Sequence, residues 1–266
     1  MSREIMKKVK RIVVKVGTNS IMKNHLEVDY RMLDRLAFVL ATLRQQGYEI
    51  ILVTSGAVGV GASYLEIEEY PTEIPDQQAL SAIGQSALMA LYSQFFDHYR
   101  CRVGQLLLTR DVVDHSISYE NCHNALDRLI DMGVVPIINE NDSVATDELK
   151  HPTKFGDNDT LSAIVAQIAQ ADLLVIMSDV DGLYDKNPAV YSDAKKIDHV
   201  PEVTQEIHDM AGGVGSEFAR GGMATKIKAA ERILNNDQAM IIMSAENPTK
   251  LFNVLEGETI GTLFKR

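Results

Sequence analysis

The chain has 266 residues, room for one large or two modest domains and for a core that needs no disulfides or metals. Its 26 Lys and Arg against 37 Asp and Glu leave a formal charge of −11, which disfavours duplex binding because that role needs a basic footprint. No apolar run suits a signal peptide or reaches the roughly 18 residues of a membrane span, and Cys101 and Cys122 fit no zinc or CxxC spacing, so a cytoplasmic protein is expected.

In chain order, the first strand is predicted over 12–16. A helix over 30–46 follows, with Leu33, Leu36, Leu40 and Leu43 at helical spacing and a stop at Gly47. Strands are predicted at 49–54, 103–108, 134–138, 173–177 and 239–243, with helices at 77–99, 121–132, 160–169 and 224–234 between them. The strands are continuous apolar runs, the pattern of strands covered on both faces. Alternation of this kind predicts a doubly wound α/β fold on a mostly parallel sheet. Segments 64–75, 143–155 and 179–222 are irregular, and loops that long read as lids or insertions. A lobe boundary is expected between Ile138 and Leu173, and there is no internal repeat.

Four clusters carry possible chemistry. Lys15 ends a strand that should be buried, so its ammonium must reach water or meet an anion. Ligands of open α/β sheets bind beyond the carboxyl ends of strands, where Gly17-Thr18-Asn19-Ser20 follows. The second strand runs into Thr54-Ser55-Gly56-Ala57-Val58-Gly59, small residues that let backbone N–H groups approach an anion or simply form a tight turn onto a helix. This is neither a GxGxxG nor a Walker A loop. Asn139-Glu140-Asn141-Asp142 and Gly156-Asp157-Asn158-Asp159 gather acids and amides at two strand–helix junctions. Asp157 or Asp159 suits a helix N-cap, which accounts for one carboxylate and not for the rest. Last, Arg220-Gly221-Gly222-Met223-Ala224-Thr225-Lys226 opens a helix with free N–H donors and a lysine unfavourable to the helix dipole. The alternative there is an exposed, solubilising lysine. Among the seven histidines, His98, His115 and His123 read as surface residues. No GxSxG, HExxH or His-Arg-Asp motif is present, so chemistry that needs no general base is favoured.

Taken in order with Val14-Lys15-Val16-Gly17-Thr18 and Ser178-Asp179-Val180-Asp181-Gly182-Leu183-Tyr184, these clusters resemble the amino acid kinase family along nearly the whole chain. The resemblance is to its glutamate-phosphorylating branch. It implies a three-layer α/β sandwich on a central, mostly parallel sheet, forming one domain over 1–266. An N-terminal lobe, about 1–170, would take L-glutamate and a C-terminal lobe, about 171–266, would take ATP. The implied reaction makes L-glutamyl 5-phosphate, the first step toward proline.

By the same resemblance, Lys15 and Lys226 grip the migrating phosphoryl group and Asp159 holds both lysines. Ser55, Asp142 and Asn158 bind glutamate. Ser178, Asp179 and the run Arg220, Gly221, Gly222, Met223, Ala224, Thr225 and Lys226 line the ATP site, with Lys15 reaching the phosphates. Magnesium rides on ATP, with no metal bound by side chains. Proline as feedback inhibitor, a glutamyl phosphate reductase as partner and a homo-oligomer, dimer or tetramer, are also implied. Two departures stand out: Ala219-Arg220 replaces a usual Gly-Thr, and a form without the C-terminal PUA domain is expected. Rival expectations are another acceptor within the same family and a silent amino-acid sensor.

Overall fold

The computed structural model describes residues 2–24, 26–145, 157–212 and 222–266. A short 3₁₀ helix, Ser2–Lys8, leads into β1 (Arg11–Val16), α1 (Thr18–Ile21), the hairpin β2 (Met22–Asn24) and β3 (Glu27–Val28), and α2 (Tyr30–Gln45). Then come β4 (Glu49–Val53), α3 (Ala57–Tyr64), α4 (Ile74–His98), β5 (Arg102–Leu108), α5 (Asp111–Asp114), α6 (Ser116–Asp131) and β6 (Val134–Glu140). The remainder is α7 (Asn158–Ile168), β7 (Leu173–Ser178), β8 (His199–Val200), α8 (Gln205–Met210), α9 (Met223–Asn235), β9 (Ala239–Ser244), α10 (Lys250–Leu255) and β10 (Thr262–Phe264).

Eight strands form one sheet in the order β5-β6-β4-β1-β7-β9-β10-β8, parallel throughout except where β10 meets β9. One face of the sheet packs on α2, α4 and α10, the other on α6, α7 and α9, giving three layers. The helix stops follow their glycines: Gly47 and Gly133, both at positive φ, end the chain's turns after α2 and α6. Cys101 and Cys122 are free thiols inside these two packing layers, and burial pushes Cys122 up to about 11.

Three expectations are corrected. Strand β5 is not covered on both faces: Gln105 and Leu107 are exposed, and it is an edge strand with β6 as its one sheet neighbour. The described part of 179–222 is not wholly irregular. It holds β8, α8 and a bridge between Tyr184 and Lys196, and is fastened where Thr262 Oγ1 accepts from the Leu183 N–H at 2.8 Å. His123 is half-buried rather than on the surface, with Nδ1 2.7 Å from the Ile168 carbonyl.

Helix α3 is set by two glycines. Gly56 caps it at φ +92°, a left-handed conformation that side chains resist. Gly84 on α4 lets the two helices touch, because a Cβ there would stand 1.8 Å from the Ala57 carbonyl oxygen. Gly84→Ala is expected to cost about 1–3 kcal/mol through forced separation. Urea unfolding measures this, and an unchanged midpoint would show that α3 and α4 part freely.

Candidate active site

Lys15 sits near the carboxyl end of β1, between Val53 of β4 and Ile176 of β7. Along β1, Ile12, Val14 and Val16 face the α2–α4–α10 layer, whereas Val13 faces α6, α7 and α9. Period two therefore sends Lys15 to the side of Val13, where α7 and α9 pack against each other. The sequence requirement for an anion is met there. Lys15 Nζ lies 2.6 Å from Asp159 Oδ1 and Lys226 Nζ lies 3.2 Å from Oδ2 of the same carboxylate. Lys15, Asp159 and Lys226 are 8, 1 and 4% exposed, so this is a buried cation–anion–cation cluster.

Burial alone would raise the Asp159 carboxyl. The Lys15 and Lys226 charges, with hydrogen bonds from Lys15 and Thr225, outweigh it and hold the group below the ordinary carboxylate value. Thr225 Oγ1 donates to Asp159 Oδ2 at 2.7 Å and lies 2.8 Å from the Gly222 carbonyl, so its hydroxyl ties the start of α9 to the carboxylate. The two acids of the 157–159 run divide the work. Asp157 caps α7, its side chain accepting from the Thr160 N–H at 2.7 Å and from the Thr160 hydroxyl at 2.9 Å. Asp159, two residues on, points at the lysines.

Asn158 links α7 to β4. Its Nδ2 lies 2.7 Å from Ser55 Oγ, 2.7 Å from the Thr54 carbonyl and 3.0 Å from Asn139 Oδ1. Lys15, Gly17, Ser55, Asn158, Asp159, Ser178, Asp179 and Lys226 border an open cleft of about 300 Å³ beyond the ends of β1 and β7. Ser178 donates to Asp179 Oδ1 at 2.8 Å at the rim of that cleft. A second hollow of about 280 Å³ continues from Ser178 and Asp179 toward Arg31 and Arg35 of α2.

Gly222 is the N-cap of α9 and supplies no side-chain cap, so the first N–H groups, those of Met223, Ala224 and Thr225, have no side-chain acceptor from it. Arg220 and Gly221 lie outside the described residues. Asp142 is not among the described residues bordering the cleft. It sits half-buried in the turn after β6, close enough to Tyr70 that burial and the Asp142 charge together raise the Tyr70 phenol.

Two side chains of α4 enter the polar wall without having been singled out in the sequence. Gln85 Oε1 accepts from Asn139 Nδ2 at 2.9 Å, and the Tyr92 hydroxyl lies 2.8 Å from Thr54 Oγ1. The available signal was periodicity: Ser81, Gln85, Leu88 and Tyr92 share one buried face, and a glutamine there needs a partner.

An α/β sandwich whose central strand delivers a lysine to a cleft shared with a late helix defines a class, and the sequence model of the Amino acid kinase family matches residues 10–244. The chain belongs to the amino acid kinase family. It is 53% identical over 258 residues to "Glutamate 5-kinase" of Streptococcus thermophilus, covering 97% of each chain. It is 51% identical over 262 residues to "Glutamate 5-kinase" of Listeria monocytogenes serotype 4b, covering 98% of this chain and 95% of that one. Among solved structures, carbamate kinase from Giardia lamblia bound to AMP-PNP superposes with a TM-score of 0.69 at 16% identity, covering 97% of this chain and 99% of that one.

Proposed function

We propose that this chain is an ATP-dependent kinase that phosphorylates the side-chain carboxylate of L-glutamate, giving L-glutamyl 5-phosphate and ADP, the first step toward proline. The observation that carries the reading is the pair of lysines from β1 and α9 on one buried carboxylate at the cleft. A glutamate side chain has a reference pKa near 4.3, so its carboxylate is already the nucleophile at neutral pH and needs no base. A carboxylate oxygen attacks the γ-phosphorus, the bond to the β–γ bridging oxygen breaks, and ADP leaves with that electron pair. No proton moves.

The barrier is therefore the approach of two anions and the charge that spreads over the transferred phosphoryl oxygens. Lys15 and Lys226 supply fixed positive charge from two separate elements, β1 and α9, and Asp159 keeps both where the phosphoryl passes. With a formal charge of −11 over the chain, this positive site is local. Ser55 and Asn158, with the residues up to about 170, form the glutamate side. Asp142, in the turn after β6 and outside the described border of the cleft, is assigned to the substrate ammonium on this reading. Ser178, Asp179 and the start of α9 through Lys226, with Arg220 and Gly221 ahead of it, form the ATP side, in the lobe from about 171 onward. Among the described residues no group of three or more His, Cys, Asp or Glu side chains could hold a metal. Magnesium enters as part of the substrate, MgATP.

Glutamate-dependent release of ADP, with hydroxylamine trapping of the acyl phosphate, tests the reading. Carbamate, N-acetylglutamate, aspartate and nucleoside monophosphates serve as competing acceptors. ADP release that ignores glutamate, or that one of these acceptors supports better, would overturn it. Asp142→Ala is expected to raise the glutamate KM about tenfold with the ATP KM unchanged, as for loss of one charged hydrogen bond. Steady-state kinetics in both substrates checks this, and an unaltered glutamate KM would remove Asp142 from the site.

The same reading carries proline as feedback inhibitor and, because an acyl phosphate is labile, handover to a glutamyl phosphate reductase. It also takes the protein as a cytoplasmic homo-oligomer, dimer or tetramer. Support for self-association is the exposed apolar side chains Tyr64 and Leu65 at the end of α3 and Ile74 at the start of α4. Support for the cytoplasm is the two free cysteines, Cys101 and Cys122.

A further inference from the structure

We infer that Gln85 of α4 is a positioning residue for the acceptor substrate: by accepting the Asn139 NH₂, it holds Asn139 in the orientation that supports the Asn158 amide at the cleft. The inference rests on the kinase reading above and deepens it.

The argument runs from groups whose hydrogen-bonding role cannot be reversed. The Thr54 carbonyl can only accept, so the Asn158 atom 2.7 Å from it is the NH₂, and Oδ1 is the atom left on the other branch. The Glu140 backbone N–H can only donate, so the Asn139 atom 2.9 Å from it is Oδ1. That oxygen also receives Asn158 Nδ2, at 3.0 Å. The Asn139 NH₂ must then point the other way, where Gln85 Oε1 accepts it at 2.9 Å. Asn139 is 2% exposed and Gln85 is 7% exposed, so both amides are screened from bulk solvent.

Gln85 Nε2 is buried and has no hydrogen-bond partner among the described residues. The working atom of Gln85 is its oxygen. An apolar residue would suit the rest of this helix face, which carries Ser81, Leu88 and Tyr92 toward the interior. What the glutamine adds is an acceptor for the Asn139 NH₂, so that the orientation set by the Glu140 N–H leaves no buried donor unpaired on Asn139. A turned Asn139 would set an NH₂ against both the Glu140 N–H and the NH₂ of Asn158, removing one of the three acceptors that hold Asn158.

Held as it is, Asn158 has its NH₂ committed to the wall of the cleft, which it borders, and its oxygen available to accept. An accepting oxygen suits an ammonium donor and is indifferent to a carboxylate. The relay from Gln85 through Asn139 to Asn158 therefore selects an acceptor that carries an ammonium group, the α-amino group of an amino acid, over a plain dicarboxylate of the same length.

Gln85→Met, close in length and lacking the acceptor, is compared with the wild type in two measurements: the KM for L-glutamate and the inhibition constant of glutarate, which lacks the ammonium. The expected result is a rise of about tenfold in the glutamate KM, with the ATP KM and the glutarate inhibition constant both within about twofold of wild type. A glutamate KM that does not move, or a glutarate constant that rises in step with it, would overturn the inference in favour of mere packing. Should Gln85→Met not fold, Gln85→Asn withdraws the acceptor by one methylene in a polar side chain and is held to the same two outcomes. The wild-type arm separates the two levels: no glutamate-dependent ADP release defeats the kinase reading itself, whereas an active wild type with an indifferent variant defeats the role of Gln85 alone.

Discussion

Replacing Lys226 with alanine is expected to lower kcat by about 10²–10³-fold and to leave the glutamate KM within a few-fold of wild type. The asymmetry comes from where the charge acts. A lysine that meets phosphoryl oxygens gains most when negative charge accumulates on them in transfer, and little when glutamate merely binds. The fold should survive the change, because Asp159 keeps Lys15 at 2.6 Å and the Thr225 hydroxyl at 2.7 Å. Lys15→Ala is expected to act in the same way, with Lys226 and Thr225 left on the carboxylate. Hydroxamate trapping at saturating ATP and glutamate reads kcat directly. A variant of either lysine with near-normal kcat would remove that lysine from the phosphoryl site.

Asp159→Ala is expected to do something different: to destabilise the protein by about 3–5 kcal/mol, the cost of leaving buried charge without its partner. Here the magnitudes separate the roles. Removing one lysine leaves a neutralised pair, whereas removing Asp159 leaves two ammonium groups, 8 and 4% exposed, facing each other across the space it filled. The pH dependence has a definite sign. The folded Asp159 carboxyl lies below its unfolded value, so its contribution is present in full above that value and is lost as pH falls through the folded one. The stability gap between wild type and Asp159→Asn should therefore be flat from neutral pH to about pH 5 and close only below about pH 4. Urea titrations at several pH values measure it. A gap that is absent at pH 7, or that widens in acid, would contradict the arrangement.

The parts of this site that a sequence exposes are those where a local rule is broken. Lys15 inside an apolar strand and Lys226 in a first helical turn each violate a preference, and each violation resolves onto the same carboxylate. The six long strands were legible because continuous β-branched runs bounded by helix stops admit few other readings. The run Asp157-Asn158-Asp159 showed that one acid was surplus to capping, and only the direction of α7 separates the cap from the clamp.

What the sequence hid is set by long-range pairing. Strands β8 and β10 have two and three residues, too short for a period, and exist because β10 folds back antiparallel on β9. Gln85 lies 54 residues from Asn139 and carries no local signature beyond its place on a buried helix face. The edge position of β5 follows from sheet order, which alternation of elements does not determine.

The account rests on both lysines meeting one phosphoryl group, and the most direct measurement is a crystal structure with L-glutamate, ADP, magnesium and a planar metal-fluoride mimic of the transferred group. The account predicts Lys15 Nζ and Lys226 Nζ each within hydrogen-bond distance, about 2.7–3.2 Å, of fluorides on that mimic, with the glutamate side-chain carboxylate in line opposite ADP. A mimic seated in the cleft with either ammonium still turned away to Asp159 and out of reach would contradict it.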